Sequence, residues 1–398
     1  PDLLMLCRRG RELAQPRPDE LIPLPEESDF FLLPGREAIG LNPLSGQVEA
    51  PGGQAVAAFV RPGYTVTATA AYEARPGAPM LPIFSYAALG YAQGRFWAAA
   101  KLVDEDKRQI FSSIPKKRIR QGALALQKRF PENRLIQHLT GCALTYCCPA
   151  ARNLALGRYE APLPVARTCN AACVGCLSKQ EPDSGFPATQ ARITFTPKPE
   201  EILQVMLAHE ERESRPIHSF GQGCEGEPLT EAETIAKAVA AFRKAGGRGT
   251  VNVNSNASRP ETIEELALAG VNSIRVSINS FTEPFYSAYY RPKGYAFSHV
   301  LESIKRAKKA GLHVSLNFLF FPGISDTEQE FDLLARAVSE YQVDFIQLRN
   351  MNLDPELYLS LAEPHVAGPA MGFINFRKRL RKSCTWLGLG YFNPFLGQ

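Results

Sequence analysis

From about residue 200 onward the apolar positions switch between two periods. Short runs at Ile217–Gly221, Thr250–Asn254, Ser273–Asn279, His313–Phe321 and Asp344–Arg349 have the alternating or continuous apolar character of strands. Between them, segments near Glu200–Arg212, Glu231–Ala245, Arg259–Ala269, Phe297–Ala310 and Asp326–Tyr341 carry the spacing of amphipathic helices. Gly246, Gly270 and Gly311 follow three of these helices, where a left-handed cap residue belongs. With a first strand expected just before Cys169, the alternation makes six βα units joined by parallel crossovers, an α/β fold with an open or partial barrel. In such sheets ligands gather at the C-terminal ends of the strands, so chemistry is sought in the residues that close each one.

The texture before residue 159 is different. Residues 1–28 mix charge with Pro16, Pro18, Pro23 and Pro25 and read as a loosely ordered lead-in. Over 29–158 an accessory domain is expected. Its first part is a small β-rich unit, with Gly and Pro punctuating runs such as Ala55–Val60, Tyr64–Ala70, Ile83–Ala88 and Phe96–Val103. Its second is a basic amphipathic helix or helix pair over Pro115–His138. The barrel is assigned to 159–352 and a C-terminal helical extension to 353–398.

Composition narrows the class without deciding it. Hydrophobic residues at 45% and charged residues at 21% are ordinary for a globular chain, and a net charge of +5 falls short of a dedicated nucleic-acid binder. No apolar run reaches membrane-spanning length, and the start lacks a signal-peptide pattern, so a cytoplasmic protein without membrane partners is expected. Because the chain begins with Pro1, it is read as a processed or partial product. Nine cysteines, an odd number with six of them clustered at 142–176, fit metal ligation in a reducing compartment better than a disulfide framework.

The strongest chemical signal is Arg167-Thr-Cys169-Asn-Ala-Ala-Cys173-Val-Gly-Cys176, a Cys-x₃-Cys-x₂-Cys spacing beyond the expected end of the first barrel strand. Closed zinc and electron-transfer sites take four protein ligands, whereas three thiolates leave a metal position open for a substrate or cofactor. A zinc loop completed by a distant Cys or His is the competing reading. The triplet resembles the signature of the radical S-adenosylmethionine (SAM) superfamily. That resemblance implies a partial (β/α)₆ barrel of TIM type. It also implies a [4Fe–4S] cluster held by Cys169, Cys173 and Cys176, with the open iron chelating the amino and carboxylate groups of SAM. Reductive cleavage of SAM to a 5′-deoxyadenosyl radical and hydrogen abstraction from a substrate follow from the same likeness. Gly175 departs from the family, which commonly has an aromatic residue there near the adenine.

Later strand ends extend the resemblance. Gly221-Gln-Gly-Cys-Glu225-Gly226-Glu227-Pro228 is similar to the family's Gly-Gly-Glu-Pro turn, with Glu225 replacing the first Gly, and implies a hold on the SAM ammonium; an ordinary turn capped by Thr230 is the alternative. Asn254 closes the third strand and Ser277 and Asn279 the fourth, positions suited to ribose hydroxyls. The resemblance implies that role for Ser277 and Asn279, by likeness to the family's fourth-strand Ser and a neighbouring polar residue; as turn formers all three would need no ligand. Asn317 and the Phe321–Asp326 turn look like the adenine side, although Ser325 or Asp326 serves equally as a helix cap. Gln347 and Arg349 share one face of the sixth strand, and Arg349 is a cation for a carboxylate of SAM or substrate.

Cys142, Cys147 and Cys148 are numerous enough for an auxiliary iron–sulfur cluster, and equally read as buried thiols packing as small hydrophobes. Basic runs at Lys116–Arg129 and Phe376–Lys382 admit an RNA or an acidic peptide as substrate beside an anionic small molecule, but more often form solvated helix faces. The electron donor expected from the resemblance is a flavodoxin or ferredoxin. The function set against this one is a zinc-stabilised nucleic-acid-binding or scaffolding protein without catalysis.

Overall fold

Apolar residues that alternate with polar ones along the expected strands divide between two environments in the computed structural model, which describes residues 3–397. Val251, Val253, Ile274, Val276, Val314, Leu316, Ile346 and Leu348 face outward and are buried in the main core. Each such side chain contributes about 1.5–3 kcal/mol through burial. Ser219, Asn252, Asn254, Arg275, Ser277, Asn317, Gln347 and Arg349 share the opposite face by period two. The strands are Glu160–Pro162, Ile217–Phe220, Thr250–Ser255, Ser273–Ile278, His313–Phe320, Phe345–Asn350 and Gly388–Gly390, and they pair in that order. All six pairings are parallel, so each connection must cross back over the sheet. Helices Pro199–Glu210, Ala232–Lys244, Ile263–Ala269, Phe297–Lys309 and Glu328–Glu340 lie on the successive crossovers, as the periodicity predicts. The sheet curls into a partial barrel: one side chain, Asn393, reaches Glu160 on the first strand, Ser219 on the second and Gln347 on the sixth.

The six expected strands are joined by a seventh from the extension expected to be helical. Helices Pro355–Ala362 and Phe373–Ser383 are present, but Gly388–Gly390 then pairs with the sixth strand. A Cβ at Gly388 would meet the Phe345 ring at 2.4 Å, so this strand is glycine-rich by necessity and carries no apolar alternation to announce it.

From residue 3 onward the lead-in is ordered, contrary to expectation. Cys7–Arg9 pairs with Glu12–Ala14 and with Thr69–Ala70, and Leu21–Pro23 pairs with Arg95–Leu102. Glu20 is fully buried, taking the guanidinium of Arg9 and, at 3.4 Å, that of Arg17. Of the four prolines that suggested disorder, Pro18 starts a short 3₁₀ turn and Pro23 ends a strand. These segments belong to an antiparallel unit with Asp29–Ala38, Gln54–Phe59 and Ala87–Ala92. The Tyr64–Ala70 run splits into two strands, and Ile83–Tyr86 precedes its strand rather than forming it. The unit is docked on the barrel by Thr65 Oγ1 to Leu348 O (2.7 Å), Val66 N to Asn350 Oδ1 (2.8 Å) and a buried Arg36–Asp354 ion pair (2.8 Å). The basic helical stretch is a pair, Lys116–Arg129 and Arg134–Leu144, broken at Pro131 and restarted by the Asn133 cap on Ile136 N. Among the described residues no helix is long and apolar enough to cross a membrane.

Candidate functional site

After the first strand the chain is held by backbone bonds as it approaches the cysteines. The buried Glu225 carboxylate accepts Val165 N (2.7 Å) and Ala166 N (2.9 Å) on one oxygen, and Gly221 N (2.8 Å) and Gln222 N (2.6 Å) on the other. It thereby ties the end of the second strand to the segment leading into the triplet. Burial pushes this carboxyl up to about 7 against the pull of those four donors. Gly226 N donates to Ala166 O (2.6 Å) and Glu227 N to Thr168 O (2.9 Å). The two backbones are so close that a Cβ at Gly226 would lie 1.8 Å from Thr168 O. From the other side, helix Glu283–Tyr290 presents its C-terminal carbonyls: Val174 N donates to Tyr289 O (2.9 Å) and Ala172 N to Tyr290 O (3.2 Å). The triplet loop is thus clamped between a turn and a helix end.

Cys169, Cys173 and Cys176 are half-buried and line two cavities at once, the barrel lumen of about 410 Å³ and an outer one of about 340 Å³. Among the described residues, no fourth cysteine and no histidine lines either cavity. Burial, then Glu227, pushes the Cys169 thiol up to about 11; burial, then the neighbouring Cys169 and Cys176, pushes Cys173 well above its ordinary value. Cys169 and Cys173 are therefore costly to ionise by themselves, and a bound cationic group is the partner such a donor set lacks. Arg192, which the sequence did not single out, places Nη2 3.5 Å from Cys176 Sγ. Its Nε bonds Ser178 Oγ at 3.1 Å.

Of the residues expected to hold a cofactor, Glu225, Gly226, Glu227, Pro228, Asn254, Ser277, Asn317 and Arg349 all line the lumen. Glu227 accepts Ser255 Oγ (2.6 Å), Leu229 N (2.9 Å) and Asn256 N (2.8 Å), so it caps the short helix after the turn and binds the third strand's end. Thr230, the alternative cap, instead donates its hydroxyl to Glu227 O (2.7 Å). Ser277 Oγ and Asn317 Nδ2 meet at 3.4 Å, a loose pair with capacity for further bonds. Asn279 is outside the cavity: the strand ends at Ile278, alternation lapses, and its Nδ2 turns to Tyr358 OH (3.5 Å). Residues 321–326 do not line the lumen either, and Thr327 caps helix Glu328–Glu340 in place of Ser325 or Asp326. Those two side chains brace the turn itself, accepting Phe321 N and Gly323 N.

Gly175 has a structural counterpart. The Tyr289 hydroxyl lies 2.6 Å from where a Gly175 Cβ would be, so a buried tyrosine from another helix fills the space beside the last cysteine. Cys142, Cys147 and Cys148 are not gathered as one set. Cys142 and Cys148 pack with Ala143 and Ala151, whereas Cys147 is exposed at φ +56°, as adjacent side chains diverge. Cys142 faces Cys224 and, at 3.6 Å, His138 Nε2; both contacts favour its thiolate, and Cys224 is correspondingly pushed up. The C-terminal tail contributes residues that no sequence motif marks. Tyr391, Phe392 and Asn393 line the lumen, and Leu396 N reaches Thr250 Oγ1 (2.9 Å), carrying the tail from the seventh strand to the third. Arg275, two residues before Ser277 on the inward face, also lines the lumen, and period two is the signal that marks it.

Residues 163–335 match the family model described as the Radical SAM superfamily. An uncharacterised protein of Methanocaldococcus jannaschii is 34% identical over 103 residues, 26% of this chain and 35% of that protein. A GTP 3',8-cyclase of Thermodesulfovibrio yellowstonii is 26% identical over 200 residues, 49% of this chain and 58% of the cyclase. The chain therefore spans about a third to somewhat over half of these two relatives. Among solved structures, HydG, a maturase of the [FeFe]-hydrogenase, aligns with a TM-score of 0.42 at 16% identity, covering 69% of this chain and 67% of that one.

Proposed function

We propose, from the match of residues 163–335 to the Radical SAM superfamily model, that the chain is an enzyme that cleaves SAM reductively at a [4Fe–4S] cluster held by Cys169, Cys173 and Cys176. One observation carries this reading. The three thiols stand together between two cavities that no fourth thiol lines among the described residues, and their loop is bonded through its backbone to the Gly221–Pro228 turn. When bound, the cluster and SAM supply an electron and a carbon-centred radical able to take a hydrogen atom from a substrate.

The chain's own residues do the rest. Gly226 lets the turn approach the triplet, and Glu227, already anchored by three donors, presents a fixed carboxylate at the lumen wall for an ammonium. Ser277 and Asn317 offer hydroxyl and amide groups for a ribose diol, with Asn254 beside them on the third strand. Tyr289 and Tyr290 exclude water from the side of the last cysteine. The lumen takes SAM and substrate. The outer cavity is left for the electron donor, a flavodoxin or ferredoxin in class, and its wall carries exposed Lys179, Arg291 and Lys293 beside Glu181 and Asp183.

Anaerobic purification and reconstitution test the reading. Wild type is expected to be brown, to bind iron and sulfide, and to form 5′-deoxyadenosine from SAM with a strong reductant. Cys173→Ala is expected to lose the cluster spectrum and that product. A colourless chain holding zinc, or unchanged iron in the Cys173→Ala variant, would overturn it in favour of a zinc-stabilised scaffold.

A further inference from the structure

The lumen carries positive charge that the SAM-binding residues do not use. Arg275 donates Nη1 to Gln347 Oε1 (2.9 Å) and, more weakly, to Asn393 Oδ1 (3.4 Å), and its Nε is buried without a partner. Arg349 donates Nη1 to Tyr391 O (3.2 Å), with its guanidinium 4.3 Å from the centre of the Tyr391 ring. These bonds all end on amide or carbonyl oxygens, none on a carboxylate. The two cations are near enough to oppose each other, and burial with that repulsion weakens the hold of Arg275 on its proton.

The carboxylates of the same cavity are committed elsewhere. Glu160 faces Arg108 Nη1 (3.4 Å) and accepts Asn393 Nδ2 (2.8 Å). Glu225 and Glu227 are held by the turn's donors described above. Arg275 also feels Glu160, but that carboxylate is already shared with Arg108 and Asn393. Two guanidiniums drawn into one cavity with so little counter-charge are costly, and an anionic ligand is what relieves them. Arginine's planar fork suits a carboxylate or a phosphate.

We propose that Arg275 and Arg349 bind an anionic group of the substrate, a carboxylate or a phosphate, in the part of the lumen beyond SAM. This rests on the reading that SAM occupies the strand ends beside the triplet. Arg275 precedes Ser277 by two residues, about 6.6 Å farther down the strand from that end. SAM's own carboxylate, needed at the open iron, belongs with the triplet and leaves this position to a second molecule.

The test uses the full chain with inorganic phosphate and succinate as separate probes, titrated calorimetrically with and without cluster and SAM. At least one probe is expected to bind wild type at saturating SAM, and phosphate against succinate distinguishes the two anion classes. Arg349→Gln and Arg275→Gln are each expected to weaken that probe by about tenfold or more while SAM affinity stays within about twofold. Should Arg275→Gln fail to fold, having lost its bonds to Gln347 and Asn393, Arg275→Lys and Arg349→Gln carry the test. The proposal is overturned by absence of binding by both probes, by competition between the probes and SAM, or by unchanged probe affinity in the folded variants. Failure of cluster assembly would sink the proposed function alone, because arginine-dependent binding to the cluster-free chain would still stand.

Discussion

Gly226→Ala isolates the contact on which the site is built. The added Cβ would lie 1.8 Å from Thr168 O, 2.4 Å from Thr168 C and 3.1 Å from Cys169 N, all backbone atoms with no rotamer to yield. Real Cβ atoms do not approach within 3.0 Å, so the turn and the triplet loop must separate by about 1.2 Å. That separation breaks the bonds from Gly226 N to Ala166 O and from Glu227 N to Thr168 O, at about 1 kcal/mol each. Overpacking adds about 1–3 kcal/mol, giving a loss of about 3–5 kcal/mol in chemical denaturation of the metal-free chain. Moving Cys169 by that distance from its partners should also cut 5′-deoxyadenosine formation by about a hundredfold or more. Gly223→Ala is the control. Its Cβ would meet Gln190 Nε2 at 2.6 Å and Leu177 Cδ1 at 3.0 Å, flexible side-chain ends, so a cost under about 1 kcal/mol is expected. Equal denaturation midpoints and equal product yields for the two variants would refute the idea that backbone contact at Gly226 sets the site.

Three further outcomes follow from buried polar groups. His209 is kept neutral by burial and by His218, which pull it from 6.5 down to about 4. Its contribution is therefore present above pH 6.5 and lost as pH falls toward 4, worth about 3 kcal/mol at about 1.4 kcal/mol per pH unit. Melting of His209→Leu should be flatter than wild type across that window, and parallel curves would refute it. Asn393→Ala removes the bonds to Glu160, Ser219 and Gln347 together and should cost about 2–4 kcal/mol in urea denaturation; a loss below about 0.5 kcal/mol would mean that water replaces the side chain. Asp354→Ala leaves Arg36 buried and unpaired and uncaps helix Pro355–Ala362, for a loss of about 3–5 kcal/mol. Limited proteolysis of this variant should release the β-rich unit from the barrel, and wild-type resistance would count against Asp354 as the tie.

What the sequence disclosed depended on whether a residue's role left a periodic trace. Barrel strands did so because one face packs apolar side chains against helices while the other is wet, and that contrast survives as alternation. The same rule placed Asn254, Ser277, Asn317 and Arg349 on the lumen and failed at Asn279, one residue past the strand, where nothing enforces alternation. Arg275 obeyed the rule too. The last strand and the tail left no trace: Gly388 and Gly390 are selected for clearance beneath Phe345, and Asn393 acts through bonds to residues 46, 174 and 233 positions away in sequence.

The substituted turn explains why a departure from a family pattern need not weaken a site. Glu225 occupies the place of a glycine, yet its carboxylate fastens the segment leading into the triplet, both oxygens being held by four backbone N–H groups beyond two strand ends. The tight approach falls instead to Gly226. At Gly175 the exchange runs the other way, since a missing side chain makes room for Tyr289, which arrives from a helix more than a hundred residues later. Volume beside the last cysteine and closeness at the turn are the quantities that this packing supplies. Either can be supplied from a residue that the linear motif does not contain.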